Sequence, residues 1–198
     1  MGDDAKVNLF DRVVNWYGFA AGILTFTVLV ISLFIPWWQL TIGDNLIKVN
    51  ASPVNTNFGL FGTNFTLPIL WALNLVSVLT FSASGLIMLF YSLNPTKGYA
   101  KQLLGFSYKK PLYSLVTFLS SLLIITSTAS LLNVNVPLLG SSTMSLPASI
   151  AMGVSINATV SGDFQLPFWL AIVTAVLCIV ARLQHGQLEA ATKQNNFE

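Results

Sequence analysis

Residues 16–38 read WYGFAAGILTFTVLVISLFIPWW, an unbroken run without a charged side chain. A helix that crosses the hydrocarbon core of a bilayer needs about 20 mainly apolar residues at a rise of about 1.5 Å each. Trp16–Trp38 meets that length. It also exceeds the apolar core of about 7–15 residues in a cleavable secretory leader. Asp3, Asp4, Lys6, Asp11 and Arg12 precede it, which is not the basic leader of such a signal. The stretch therefore predicts an uncleaved first membrane span. Leu67–Tyr91, Leu112–Leu132 and Phe164–Ala181 pass the same test. A charge at the centre of a span costs about 2.5–3.5 kcal/mol on the insertion scale, and none of the four contains one.

The composition agrees with these spans. The chain has 198 residues, 54% hydrophobic and 8% charged, with a mean hydropathy of +0.72. Soluble domains carry roughly 25% charged residues. A chain with a third of that number cannot cover its surface with solvated groups, whereas lipid removes the need. The whole chain is thus expected to be one integral membrane domain, mainly α-helical. Its loops are 39–66, 92–111 and 133–163, and a tail spans 182–198. The net charge of +2, with dispersed basic residues, gives no nucleic-acid footprint.

Eight of the nine Lys and Arg residues fall on one side of these spans: Lys6, Arg12, Lys97, Lys101, Lys109, Lys110, Arg182 and Lys193. Only Lys48 falls on the other. The positive-inside rule puts both termini and the middle loop in the cytoplasm of a plasma-membrane protein. Aromatic residues follow the same frame, since amphipathic rings favour the headgroup level. Trp16, Tyr17, Tyr91, Tyr108 and Tyr113 mark the inner edge, and Trp37, Trp38, Trp71 and Trp169 the outer one. Three N-x-S/T sequons, at Asn50, Asn64 and Asn157, fall in the loops assigned outside and are candidate glycosylation acceptors.

Each outer loop runs for about thirty residues, and structureless loops of that length are uncommon. Gln39–Ile42 and Leu46–Val49 flank Gly43-Asp44-Asn45, which predicts a hairpin. In the second loop Met144, Leu146, Ile150, Met152, Val154, Ile156 and Val160 recur at even spacing, as do the valines of Asn133–Val136. A period of two places a row of side chains on one face of a sheet. Lone hairpins are marginal, so both loops are expected to pair into one small antiparallel sheet capping the outer helix ends.

Spans two and four open alike, with Phe65-Thr66-Leu67-Pro68 then Trp71, and Phe164-Gln165-Leu166-Pro167 then Trp169. This reads either as a shared helix-start signal, proline suiting the first turn, or as a duplicated unit. The four spans, inner termini, β-rich outer face and tryptophans after span one resemble the claudin-like tetraspan architecture. The resemblance covers topology. The claudin first-loop signature, W…L-W followed by two cysteines, stands here as Trp37-Trp38 without cysteine, and no functional residue carries over.

Catalytic chemistry has little to work with. Metal and haem sites need clusters of histidine, cysteine or carboxylate. The chain has one histidine, His185, read as a solvated tail residue, and one cysteine, Cys178, in an apolar helix. The outer loops offer only Asp44, Lys48 and Asp163. No nucleophile–base pair or phosphate-binding glycine loop is visible, so neither enzymatic activity nor a cofactor is expected. Nor is a charge-based ion pathway, which places ionisable groups inside the membrane.

Packing surface is what the spans do offer. Gly18 and Gly22 form a GxxxG pair, and Ser84, Gly85, Ala171 and Ala175 are small residues of the kind that let helix backbones approach. They could hold this bundle together or seat another subunit. Lys97, Lys101, Lys109 and Lys110 are candidate contacts for anionic lipid headgroups. The expected role is a non-catalytic structural or accessory subunit of a membrane or cell-envelope complex. Its partners would be lipid and other membrane subunits or copies of itself. The alternatives are an oligomeric pore lined by hydroxyls, and a small subunit of a redox or quinone complex whose cofactors sit in partner chains. Outer loops so poor in carboxylates lose little charge in acid, which suits an acidic medium such as that of an acid-loving archaeon. A large fall in melting temperature from about pH 7 to about pH 3 would overturn that expectation.

Overall fold

The computed structural model describes residues 14–43, 46–131, 134–146 and 156–195; for 144–146, 156 and 188–195 it describes the backbone alone. The fold is mainly helical with one antiparallel sheet. In chain order the elements are α1 (Trp16–Phe34), β1 (Trp38–Ile42), β2 (Ile47–Ala51), β3 (Asn57–Leu60), β4 (Thr63–Phe65) and α2 (Pro68–Leu93). They continue with α3 (Ala100–Ser107), α4 (Lys109–Leu131), β5 (Gly140–Leu146), β6 (Ile156–Phe164) and α5 (Leu166–Asn195). Four helical segments are long and apolar enough to cross a membrane: Trp16–Phe34, Pro68–Leu93, Ala100–Leu131 and Leu166–Gln187.

Their ends differ from the sequence expectation for local reasons. The first helix stops at Phe34 because Pro36 disfavours helical backbone at Ile35, which sits at φ −120°, ψ 124°. Trp37 and Trp38 thus leave the helix. Both are core residues, 1% and 2% exposed. Each buried indole N–H has a partner: Trp37 Nε1 donates to Ser32 Oγ at 2.8 Å, and Trp38 Nε1 to the Leu138 carbonyl at 2.8 Å. Trp71 and Trp169, by contrast, are 61% and 53% exposed at the helix starts. The last helix carries on past Arg182 to Asn195, since only Gly186 weakens it and no proline follows. His185 is therefore a buried residue of that helix, 6% exposed, and not a solvated tail residue.

The sheet has the order β4-β3-β2-β1-β6-β5. The hairpin through Gly43 is present, with Ile42 opposite Ile47 and Gly43 at φ +54°. The two long loops meet where β1 pairs β6, Trp38 against Phe164 and Ile42 against Val160. β3 and β4 had no clear sequence signal. Their two-residue turn is Phe61-Gly62, with φ 49° and 81°. Such turns are normally announced by Asn-Gly or Asp-Gly. Val134–Val136, expected as strand, forms none, while Asp44, Asn45, Asn133, Ile150, Met152 and Val154 lie outside the described residues.

One core joins sheet to helices. Trp37, Trp38, Leu40 and Val160 pack with Val28, Leu29, Phe81, Phe118, Leu122, Phe168 and Ala171. Trp37 meets the Phe118 ring edge-on at 5.1 Å, and Phe164 stacks on Phe168 at 4.3 Å. Gly162 lies under the segment before β5: an added Cβ would collide with the Pro137 carbonyl oxygen. A second core, of Ala21, Met88, Tyr91, Ala100, Leu104 and Cys178, closes the end of the bundle away from the sheet.

Candidate functional site

The small residues of α1 and α2 face each other. A Cβ on Gly18 would approach Ser92 Oγ to 2.6 Å, one on Gly22 would approach Leu89 Cδ2 to 2.7 Å, and one on Gly85 would approach Phe26 Cε2 to 2.9 Å. Gly18 and Gly22 thus let α2 come close within the same chain. Ala171 and Ala175 are buried on α5. Ser84 donates to the Ser107 carbonyl at 2.6 Å, which fastens α3 against α2.

Asn15 organises the end away from the sheet. Its side-chain oxygen caps α1 by accepting from the Gly18 N–H at 2.9 Å. Its Nδ2 donates to Tyr91 Oη at 2.9 Å and to the Ala181 carbonyl at 3.0 Å. Its own N–H donates to the Ser92 carbonyl at 3.0 Å. One side chain thereby joins α1, α2 and α5, and the His185 ring stands edge-on to Tyr91 at 5.5 Å. Sequence reading passed over Asn15, although an asparagine just ahead of an apolar run is a helix-start signal.

The four lysines of the middle loop do not form one patch. Lys97 is exposed in the turn before α3. Lys101 and Lys109 line a cleft of about 420 Å³ together with Leu104, Gly105, Tyr108, Arg182, His185 and Gly186. Lys110 turns away, its ammonium 5.7 Å from the centre of the Phe81 ring, and lines a different cleft. Among the sequon residues, Asn64 and Asn157 are exposed on β4 and β6. Asn50 on β2 is partly buried, with Nδ2 donating to Asn57 Oδ1 at 2.8 Å.

That second cleft, about 570 Å³, opens between α2 and α4. Leu70, Leu73 and Ser77 form one wall, and Ser114, Thr117, Phe118, Ser121, Leu122 and Ile125 the other; Ala51–Pro53 and Thr56 roof it at the sheet end. The buried residues of α2 run only from Phe81 to Ser92, and those of α4 from Pro111 to Leu122. The cleft separates the sheet-side part of α2, at Leu70, Leu73 and Ser77, from α4. Thr117 and Ser121 donate to the carbonyls of Tyr113 and Thr117 four residues back, at 2.7 and 2.8 Å. Those hydroxyl protons are satisfied within α4, so this wall can meet apolar groups without orphaning a donor.

No protein-family model and no curated protein matches the chain. Fold and geometry define its class: four apolar helices of membrane-spanning length, closed at one end by a six-stranded antiparallel sheet. The helix pair α2 and α4 stands open on one flank.

Proposed function

We propose that this chain is a non-catalytic subunit of a membrane assembly and holds a helix of a neighbouring subunit against α2 and α4. It lies in the plasma membrane with the sheet outside and the basic end in the cytoplasm, as its lysine and arginine placement favours. The observation that carries the reading is the separation of α2 from α4 towards the sheet. Leu73 and Ile125 line the cleft and are exposed there, beside the hydroxyls of Ser77, Thr117 and Ser121. Small and hydroxylated side chains permit close helix approach in lipid. The sheet supplies a second contact: the β3–β4 tip carries the exposed Phe61 in a left-handed conformation that a bulky residue rarely adopts.

Native mass spectrometry of the protein, gently extracted from its own membrane, tests this. A heteromeric mass is the expected result, with the partner lost on Ser77→Leu. A closed ring of identical chains would replace the reading with the pore, and a monomer would overturn it. Orientation is tested separately in intact cells with a membrane-impermeant maleimide on a Cys178→Ala background. Thr63→Cys should label and Lys97→Cys should not; the reverse pattern would invert the topology.

A further inference from the structure

The cleft away from the sheet gathers cations from separate elements. Lys101 comes from α3, Lys109 from the start of α4, and Arg182 from α5, with His185 beside them and about 420 Å³ between. Arg182 is held in place: its guanidinium lies over the Tyr108 ring, 4.5 Å from the centroid, and donates to Tyr108 Oη. Lys101 and Lys109 are exposed. Among the described residues that line the cleft there is no carboxylate. Lys101 moreover stands in the first turn of α3, which carries no acidic residue. The helix dipole there is positive and disfavours a cation. Like charges gathered this way repel one another, and an anion between them reverses the sign of every such term.

The shape around the cleft narrows the choice of anion. α3 buries Ala100, Leu104 and Ser107 against the bundle while Tyr99 and Phe106 are exposed. An amphipathic helix of that kind lies at the level of lipid headgroups, its rings towards the acyl chains. Arginine gives a planar fork that matches phosphate oxygens, and lysines add point charges around it.

We infer that the Lys101–Lys109–Arg182 cleft is a phosphate-binding site, occupied by the phosphate of an anionic lipid headgroup or of a soluble phosphate ester. Lys97 and Lys110, although close in sequence, take no part. This inference is independent of the subunit contact at α2 and α4, which lies on a different flank, and stands or falls without it.

The test uses the full-length protein in a non-ionic detergent, titrated with dioleoylphosphatidylglycerol and, separately, dioleoylphosphatidylcholine, with bound lipid counted by native mass spectrometry. The choline cation would face the cleft cations, so wild type should prefer phosphatidylglycerol by about tenfold. Lys101→Gln/Lys109→Gln should reduce that preference to about twofold or less, whereas Lys97→Gln/Lys110→Gln, with the same loss of charge, should keep it. These lysines are exposed or half-exposed, and an unchanged melting temperature without lipid confirms that each variant is folded. Inorganic phosphate and glycerol 3-phosphate form the second arm. Competition with lipid, lost in the Lys101/Lys109 variant, assigns a soluble phosphate source; intact lipid binding without competition assigns the headgroup. Wild type that binds none of these probes, or control variants that lose as much as the cleft variants, overturns the inference.

Discussion

α1 and the described side chains of α5, up to Gln187, are packed nearly end to end, whereas α2 and α4 are packed over one half only. Buried residues of α1 run from Gly18 to Ser32, nearly end to end, and those of α5 from Phe168 through Ala181 to His185. On α2 they begin at Phe81 and on α4 they stop at Leu122, so the halves nearer the sheet bury none of their side chains fully. All four helices are apolar, so apolarity cannot account for the difference. In lipid an apolar side chain gains little by leaving the tails for another apolar surface, and close packing decides. α1 offers bare backbone at Gly18 and Gly22; the open half of α2 offers Leu73, Val76 and Leu79 instead. A tight contact and an open flank thus follow from where side chains are missing.

The comparison can be broken from its tight side first. Gly22→Leu places a branched side chain where even a Cβ stands 2.7 Å from Leu89, and should cost about 3 kcal/mol or more. Reversible unfolding in mixed micelles measures it, and a loss below about 1 kcal/mol would mean that α1 and α2 are not pressed together. Asn15→Ala removes a helix cap and two buried donations at once, and should cost about 2–3 kcal/mol. Asn15→Asp keeps the cap and should recover only part of that. Gly162→Ala must displace the Pro137 carbonyl, and with it the Leu138 carbonyl that holds Trp38. About 2 kcal/mol is expected, with a change in tryptophan fluorescence. Smallest in folding energy, and the sharpest for function, is Ser77→Leu on the open flank. It should shift stability by less than about 0.5 kcal/mol yet displace the proposed neighbouring helix. A stability loss comparable to that of Gly22→Leu would show that the flank is packed within the chain.

Much of the architecture is legible before any fold is known. Long runs such as Trp16–Trp38 and Phe164–Ala181 announce their helices through uniform apolarity, although not where those helices end. The Gly43 turn states the first hairpin, and the need to pair its edge brings β6 beside β1. The β3–β4 hairpin was not legible because Phe61 occupies a turn position where asparagine or glycine is the usual signal. Asn15 was legible as a cap but not as the link among three helices, since Tyr91 and Ala181 reach it only after the bundle closes. Nor could spacing separate Lys109 from its neighbour Lys110, which a helix turn of about 100° sends to a different cleft.

By itself the sequence determined the number of long apolar helices, the placement of the sheet between them and the concentration of basic residues in the connections at one end. These are sums over a segment, and any fold of the chain would preserve them. Only the tertiary structure decided that Trp37 and Trp38 are core residues, that His185 is buried, and that α2 parts from α4 near the sheet. Those depend on which surfaces come within van der Waals reach, and that is set by shape at the contact rather than by the average character of either helix.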